Sequence, residues 1–498
     1  MPTTQDTPQT SAPAQAGSHT AIEIFGLGAQ QRSPFISTVK RVNAVVEMTD
    51  NGRQQAAIIG MPGLSSYLTT GARPPRALFI REGELTFYVV VDDLILKCLA
   101  NTASITIGTF TTIEGPVWIA DNGAQLFFND GVKAFIYTLA TGVMTQVTDP
   151  DFPVNARGGD FLQQRFWVYT TTGVNAGRVY GSDQLNGLSW DALNFFTPEA
   201  LPDGIVAVFR WFNNLVVFGK TSIEWWSGIS TQIPSLLGFQ SITGANTEVG
   251  LGGELSYFGV GQRLFFLGRV SGQAGIYEIV NYTAVKVSTP AVDADIVGRM
   301  NHSVSIGTGY MISGHAIFQI TFPATTMQGA ITWALDSETM LWCERQSYNQ
   351  PYYRGLFAST TLDRVFISDA FTGTIWEMSD AYQTEGTDPL IFEVTSIHML
   401  KQGDRLAVDS IQVDVETGLG LSVGQGSDPQ GMIQVSKDAG HVWGVERWVP
   451  LGKIGEYRRR AVRRRLGASR DIAVRFRVTD PIPRRVCGAY LLLVAGVS

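Results

Sequence analysis

Charged side chains make up only 16% of this 498-residue sequence, and cysteine is limited to Cys98, Cys343 and Cys487. Three cysteines, far apart and never in a CxxC arrangement, point neither to a disulfide framework nor to a zinc site. They read as small buried hydrophobes in a reducing compartment. No apolar run reaches the ~18–20 residues of a membrane span; the longest, near 489–495, ends a strand-like segment. The first twenty residues, MPTTQDTPQTSAPAQAGSHT, hold no Lys or Arg and no apolar core. That is no signal-peptide pattern but a disordered tail, so the chain is expected to remain on the cytoplasmic side without membrane insertion. There is no phosphate-binding glycine loop, no HExxH, no GxSxG elbow and no paired His/Cys ligand set. No catalytic, metal-binding or cofactor-binding residue is assigned.

What the chain has is glycine (53) and tryptophan (11) within a 44% hydrophobic composition. This suits a turn-rich all-β protein and excludes disorder over most of its length. The stretch 201–228 shows the unit: apolar runs at 205–209, 215–218 and 223–226, separated by Asn213-Asn214 and by Gly219-Lys220-Thr221. Short β-branched and aromatic runs between Asn and Gly form a strand-turn-strand meander, and no spacing of three and four is sustained for a helix. The step from second to third strand recurs at 85–91 and 94–98, 125–128 and 133–137, 165–169 and 177–180, and 263–267 and 275–279. It is also assigned to 309–312 and 316–320 and to 364–367 and 374–378. Seven copies roughly 40–55 residues apart have the period of four-stranded propeller blades. Radial packing covers faces that a lone meander leaves bare. A large β-sandwich is the alternative; within the propeller reading seven blades are favoured over six, and the first and last repeats could share one blade.

The expected organisation is a disordered tail (1–20), an N-terminal strand segment leading into the propeller (21–75), the β-propeller (76–387) and a C-terminal Arg-rich β-sandwich-like domain (388–498). In the second part, Val42, Val45 and Val46 make a strand, Asp50-Asn51-Gly52 a hairpin turn, and Met61-Pro62-Gly63-Leu64 a turn into the propeller. TEGTDP at 384–389 breaks the repeat; alternation over 406–415 and a glycine-rich stretch at 418–431 follow. Ser436, Asp438, Gly440 and Trp443 fit the S-x-D-x-G-x-x-W form of an Asp-box. Such a box is a structural hairpin: Ser and Asp bond turn backbone, Gly supplies an unusual φ, and Trp packs beneath.

Charge is unevenly spread. Residues 453–485 hold twelve basic residues against Glu456, Asp471 and Asp480, which leaves the remainder with 25 basic and 41 acidic residues, a balance of −16. In 472–478 the apolar Ile472, Val474, Phe476 and Val478 alternate with Ala473, Arg475 and Arg477, which turns the arginines away from a core. Arg458, Arg459, Arg460, Arg463, Arg464 and Arg465 repel one another unless partnered. Arginine pairs bidentately with carboxylate or phosphate. These eight arginines are therefore assigned to an interface with a connector or a neighbouring subunit. Contact with DNA phosphates and a solvated face are the competing readings. Base-specific readout is excluded by the lack of a recognition helix or zinc-finger spacing.

Elsewhere single residues have structural readings. Trp225, Trp226, Trp333, Trp342 and Trp376 are expected to pack between blades. His315 is expected to hold a turn through backbone, with no carboxylate placed to orient it, and Glu224 to face solvent or a channel.

An ordered set of short motifs resembles the packaged-DNA stabilisation proteins, the tail-nozzle or tail-hub proteins of short-tailed bacteriophages. It runs from Ser33-Pro34, Arg41-Val42-Asn43, Glu47 and Pro62-Gly63-Leu64 to Pro202-Asp203-Gly204, Phe218-Gly219 and Ser222-Ile223-Glu224-Trp225. Glu248-Val249-Gly250, Lys286-Val287-Ser288-Thr289, Gly314-His315, Phe322-Pro323, Trp333, Asp336 and Trp342 continue it. It closes with Arg464-Arg465-Leu466-Gly467, Arg475-Phe476-Arg477-Val478-Thr479-Asp480-Pro481 and Gly488-Ala489-Tyr490. The resemblance implies a non-enzymatic virion tail protein assembled in the host cytoplasm. Six copies would ring the channel beneath the portal and its head-tail adaptor, retain packaged DNA, touch it transiently at ejection, and carry a tail needle or tailspike and fibre proteins. A sialidase-like propeller hydrolase is the alternative; it would need an arginine cluster, a Tyr–Glu pair and an acid within the propeller.

Overall fold

The computed structural model describes residues 20–25, 32–33, 37–48, 56–99, 103–198, 201, 203–228, 238–299, 302–324, 329–400 and 405–494. The expected tail (all but Thr20), the turn Asp50-Asn51-Gly52, Pro34 and Pro202 lie outside the described residues.

Seven antiparallel sheets follow one another: residues 77–109, 118–146, 157–196, 205–241, 250–286, 306–345 and 355–379, here blades 1 to 7. The first strand of blade 7, Gly355–Thr361, lies against that of blade 1, Ala77–Ile80, and the ring is closed with seven blades. Alternation on doubly covered strands explains the packing. In blade 2, Leu126 and Phe128 enter the core shared with blade 1, while Phe127 between them enters the core shared with blade 3. In blade 4, Leu215 and Val217 face blade 3 and Val216 and Phe218 face blade 5. Each such buried side chain contributes about 1.5–3 kcal/mol, so every blade is stabilised chiefly by its two neighbours.

The tryptophans do this between blades. Trp225 meets Tyr282 of blade 5 edge-on at 5.0 Å, and Trp226 stacks on Phe196 of blade 3 at 4.0 Å. Trp333 and Trp342 share a core with Phe265 and Ile276 of blade 5, and Trp376 with Tyr310 and Ile317 of blade 6.

Three features differ from the sequence reading. The runs at 309–312 and 316–320 are the first and second strands of blade 6, Ile306–Ile312 and His315–Phe322, not the second and third. A helix, Pro290–Gly298, covers the seam between blades 5 and 6 with Val292 and Ile296. Its signal was present: Thr289 caps the helix and Pro290 occupies the first turn, where a missing N–H costs nothing.

The third difference is the fate of the N-terminal segment, which is no mere lead-in. Gly63–Thr69 pairs with Thr374–Ser379 as the fourth strand of blade 7. That chain end therefore clasps the ring, and Gly63 is required because a Cβ there would meet the Tyr382 carbonyl oxygen at 2.4 Å. Lys40–Val42 joins one sheet of a C-terminal sandwich, beside Phe392–Thr395, Asp471–Val478, Gln430–Ser436 and Arg447–Pro450. Ala44–Met48, Ala56–Gly60 and Thr20–Glu23 join the other, with Arg485–Val494, Leu406–Val415 and Ala461–Ser469. Asn43 passes the chain between the sheets with φ of 50°, a region that Asn enters more readily than most residues. Val394, Ile411, Ile433, Phe476 and Leu491 are among the residues that fill the sandwich.

Candidate functional site

The assigned arginines fall into two groups. Arg458, Arg459 and Arg460 lie in the loop before Ala461–Ser469, and Arg463, Arg464 and Arg465 lie in that strand; all six are exposed. The strand is the outer one of its sheet. Ile411 stands opposite Arg463 and Ser410 opposite Arg464, after which the register shifts by one residue. Arg465 sits at this bulge with φ of 61°, and Arg447 donates to its carbonyl at 3.2 Å. Arg463 and Arg464 stand in regular register before the bulge and Arg465 within it, and all three reach solvent from this outer strand. None of the six forms an ion pair among the described residues. Cationic side chains on an outer strand also keep it from pairing with other chains.

Arg475 and Arg477 are tied within the chain. Glu393, from the neighbouring strand, pairs with Arg475 at 3.3 Å and Arg477 at 2.7 Å, and Glu446 takes Arg477 at 3.1 Å. Arg475 also stacks 4.0 Å over the ring of Trp443. Of the other basic residues in this segment, Arg484 is 5% exposed and bonds the Leu390 carbonyl at 2.9 Å, and Arg485 pairs with Glu416 at 2.8 Å. Glu393 and Glu446 lie far from these arginines along the chain, and no local spacing announces them.

Below the exposed arginines lies a cleft of about 1470 Å³ between propeller and sandwich. Arg458, Arg459 and Arg460 line it together with the carboxylates of Glu47, Asp380 and Asp414. No sequence motif marked it, because its walls come from six distant stretches of chain.

Ser436, Asp438, Gly440 and Trp443 make a tight turn. Gly440 N–H donates to the Ser436 hydroxyl oxygen at 2.8 Å, and Val442 N–H donates to Asp438 at 2.9 Å. The Val442 amide and the Ser436 hydroxyl hold the Asp438 carboxyl below its usual range. Gly440 has φ of 83°, and Ser436 bridges to Trp443.

Two single-residue expectations are corrected. Glu224 is 3% exposed, not solvated or channel-facing, and accepts from Trp226 Nε1 at 3.1 Å. His315 does have a carboxylate partner: its Nδ1 lies 3.0 Å from Asp336 Oδ2, which also accepts from Thr339 at 2.9 Å. That bond raises the His315 pKa above its ordinary value, against the opposing effect of burial.

The Tyr–Glu pair that a sialidase-like site would need does exist. The Tyr169 hydroxyl donates to Glu254 at 2.7 Å, and Arg157 grips the same carboxylate at 2.6 Å. Tyr169 is only 1% exposed, and burial pushes its hydroxyl well above the ordinary range, the reverse of an activated nucleophile. The trio instead ties blade 3 to the loop entering blade 5. Among the described residues no group of three His, Cys, Asp or Glu side chains is placed to hold a metal ion.

The recurring short motifs act as structural ties. Asp203 accepts from Thr221 N–H at 2.6 Å and the Ser222 hydroxyl at 3.1 Å, and a Cβ on Gly219 would meet its carboxylate at 2.5 Å. A Cβ on Gly250 would stand 1.8 Å from the Lys220 carbonyl oxygen. Ser288 accepts from Ile276 N–H at 3.0 Å, Trp333 donates to Asp295 at 2.9 Å, and Trp342 donates to the Val287 carbonyl at 3.1 Å.

Comparison with known proteins agrees with this architecture. Residues 20–382 match the family described as bacteriophage P22 Gp10, beta-propeller, and residues 391–492 match bacteriophage P22 Gp10, beta-sandwich. No curated protein matches the chain. Among solved structures it is similar to one described as PorZ, an essential bacterial surface component of the type-IX secretion system of Porphyromonas gingivalis. That likeness is at 10% identity and a TM-score of 0.36, over 70% of this chain and 44% of the other, and carries no argument about function. With both of its domains matched in order, the chain belongs to the bacteriophage P22 Gp10 family of phage stabilisation proteins.

Proposed function

We propose that this protein is a non-enzymatic component of a phage tail, in which six copies form the nozzle beneath the portal and its adaptor ring. The ring closes the channel, retains packaged DNA, lets it pass at ejection and offers attachment to a tail needle or tailspikes. Assembly takes place in the host cytoplasm and the product resides in the virion tail. The observation that carries this reading, beside family membership, is the set of six exposed arginines on the sandwich. They form no ion pair among the described residues, while the chain outside 453–485 carries a balance of −16. Such a face suits an acidic surface on a neighbouring copy or connector, where charge complementarity sets register and encounter rate. The acidic body is assigned to the channel wall, where negative charge repels DNA and lets it slide.

The test is Arg463→Glu, Arg464→Glu and Arg465→Glu together. The monomer should fold as before, and ring or tail assembly, viewed by negative-stain microscopy, should fail. Normal assembly removes the interface assignment. Tight DNA binding by the purified monomer, lost at high salt, assigns the arginines to phosphate instead. Release of sugar from a sialoside or other glycoside substrate would establish the hydrolase alternative instead.

A further inference from the structure

Where blade 6, blade 7 and the sandwich meet, charged and polar groups are buried together. Arg345, at the end of Leu341–Arg345, is 1% exposed and stacks 3.9 Å from the centre of the Tyr353 ring. Its Nη1 donates to Asn43 Oδ1 at 3.4 Å; among the described residues Nε and Nη2 make no hydrogen bond of ordinary geometry, with the Tyr353 side chain their near neighbour. Glu385, in Thr384–Glu385 beside the clasp strand Gly63–Thr69, is likewise 1% exposed. Among the described residues neither of its carboxylate oxygens accepts a hydrogen bond of ordinary geometry, although the Ser347 side chain lies close enough to favour the charged form. Among the described residues the hydroxyls of Tyr310 and Tyr353, Nε of Arg484 and Oε1 of Gln319 are also buried without a hydrogen bond of ordinary geometry.

Buried polar groups in native proteins are almost always partnered, and a buried charge without hydrogen bonds is among the most costly arrangements a fold can hold. Here donors and acceptors occur in matching sets. Arg345 lies within electrostatic reach of Glu385, Tyr310 and Tyr353, and Arg484 within reach of both Arg345 and Glu385. Yet Arg345 and Glu385 do not touch at ion-pair distance. Complementary buried groups that do not pair directly are the setting in which water bridges.

We propose that this junction is a binding site for a cluster of ordered water molecules that bridge Arg345 to Glu385 and tie blade 6, the clasped blade 7 and the sandwich into one unit. Water donating to Glu385 keeps it ionised opposite Arg345, and water accepting from Arg345 and the two tyrosines completes their bonding. The charged groups around Glu385 are Arg345, Arg354, Arg484 and Asp388, and Arg354 is itself paired to Asp369 at 3.2 Å. Burial pushes the Glu385 carboxyl up to about 7 although Ser347, Arg345 and Arg354 pull it down, and bridging water opposes the rise further.

A high-resolution crystal structure of the full chain tests the site. Solvent density within hydrogen-bond distance of Arg345 Nε or Nη2 and of a Glu385 oxygen is expected; direct Arg345–Glu385 contact, or a site without density, overturns the proposal. A double-mutant cycle tests the bridge. Arg345→Met and Glu385→Gln should each lower the folding equilibrium constant by roughly a hundredfold or more. The double variant should lose far less than the product of the two. Independent, multiplicative losses would show that the groups are not coupled and sink the bridge. If either single variant does not fold, the crystal structure of the unmodified chain decides alone.

Discussion

Val42 lies beside Glu344 in parallel, and this pairing makes one sheet of blade 6 and half of the sandwich. The next residue, Asn43, donates to the carbonyls of Gln346 at 2.7 Å and Ile391 at 2.9 Å. One three-residue strand therefore couples the two domains, and its exit is secured by a side chain that also tolerates positive φ.

Asn43→Ala should cost about 1–3 kcal/mol, from two part-buried carbonyls left without a donor and from a φ that Ala adopts less readily than Asn. Denaturant unfolding measures it. A loss under about 0.5 kcal/mol would mean that the junction does not depend on this side chain.

Gly250→Ala places a methyl where the backbone of Lys220 already stands. Overpacking of this kind costs about 1–3 kcal/mol, and more when the obstacle is backbone that cannot rotate away. The melting temperature should fall, with amide exchange rising first in blades 4 and 5.

His315 gains Asp336 on folding, so its folded pKa stands above its unfolded one. The folded state then binds the proton more tightly. This contribution is complete below the unfolded value of about 6.5 and is lost as pH rises through the folded value. Stability measured at pH 5.5 and 8 should show that fall, and Asp336→Asn should abolish it. An imidazole titrating by NMR at or below its ordinary value would refute the assignment.

Asp438→Ala removes the acceptor for the Val442 amide and a partner of the Ser436 hydroxyl. Hydrogen exchange at Val442 should quicken while blade amides are unchanged. Loss of global folding would show that the turn does more than shape its own hairpin.

Alternation and punctuation made the blades legible. Runs such as 215–218 are hydrophobic throughout because both faces are covered, and polar residues, often Asn or Gly, mark the turns. The basic segment was equally plain, as was the hairpin at Ser436–Trp443, whose turn is held by the local bonds from Gly440 and Val442. His315 and Glu224 were misread because their surroundings come from other strands: Asp336 is 21 residues away, and Glu224 is enclosed by packing that its own run of residues does not encode.

Sequence by itself determined the strands, their roughly 45-residue repeat and the place where arginine gathers, since these follow from backbone period, turn chemistry and composition. Tertiary structure alone decided that residues 63–69 clasp blade 7, that the strands Thr20–Glu23, Lys40–Val42, Ala44–Met48 and Ala56–Gly60 join the sandwich, and that Glu393 claims Arg475 and Arg477 while six other arginines stay exposed. The physical reason is one of range. A strand's form is set by neighbours in the chain, but the partner of its edge or of its charge is whatever ring closure brings within a few ångströms.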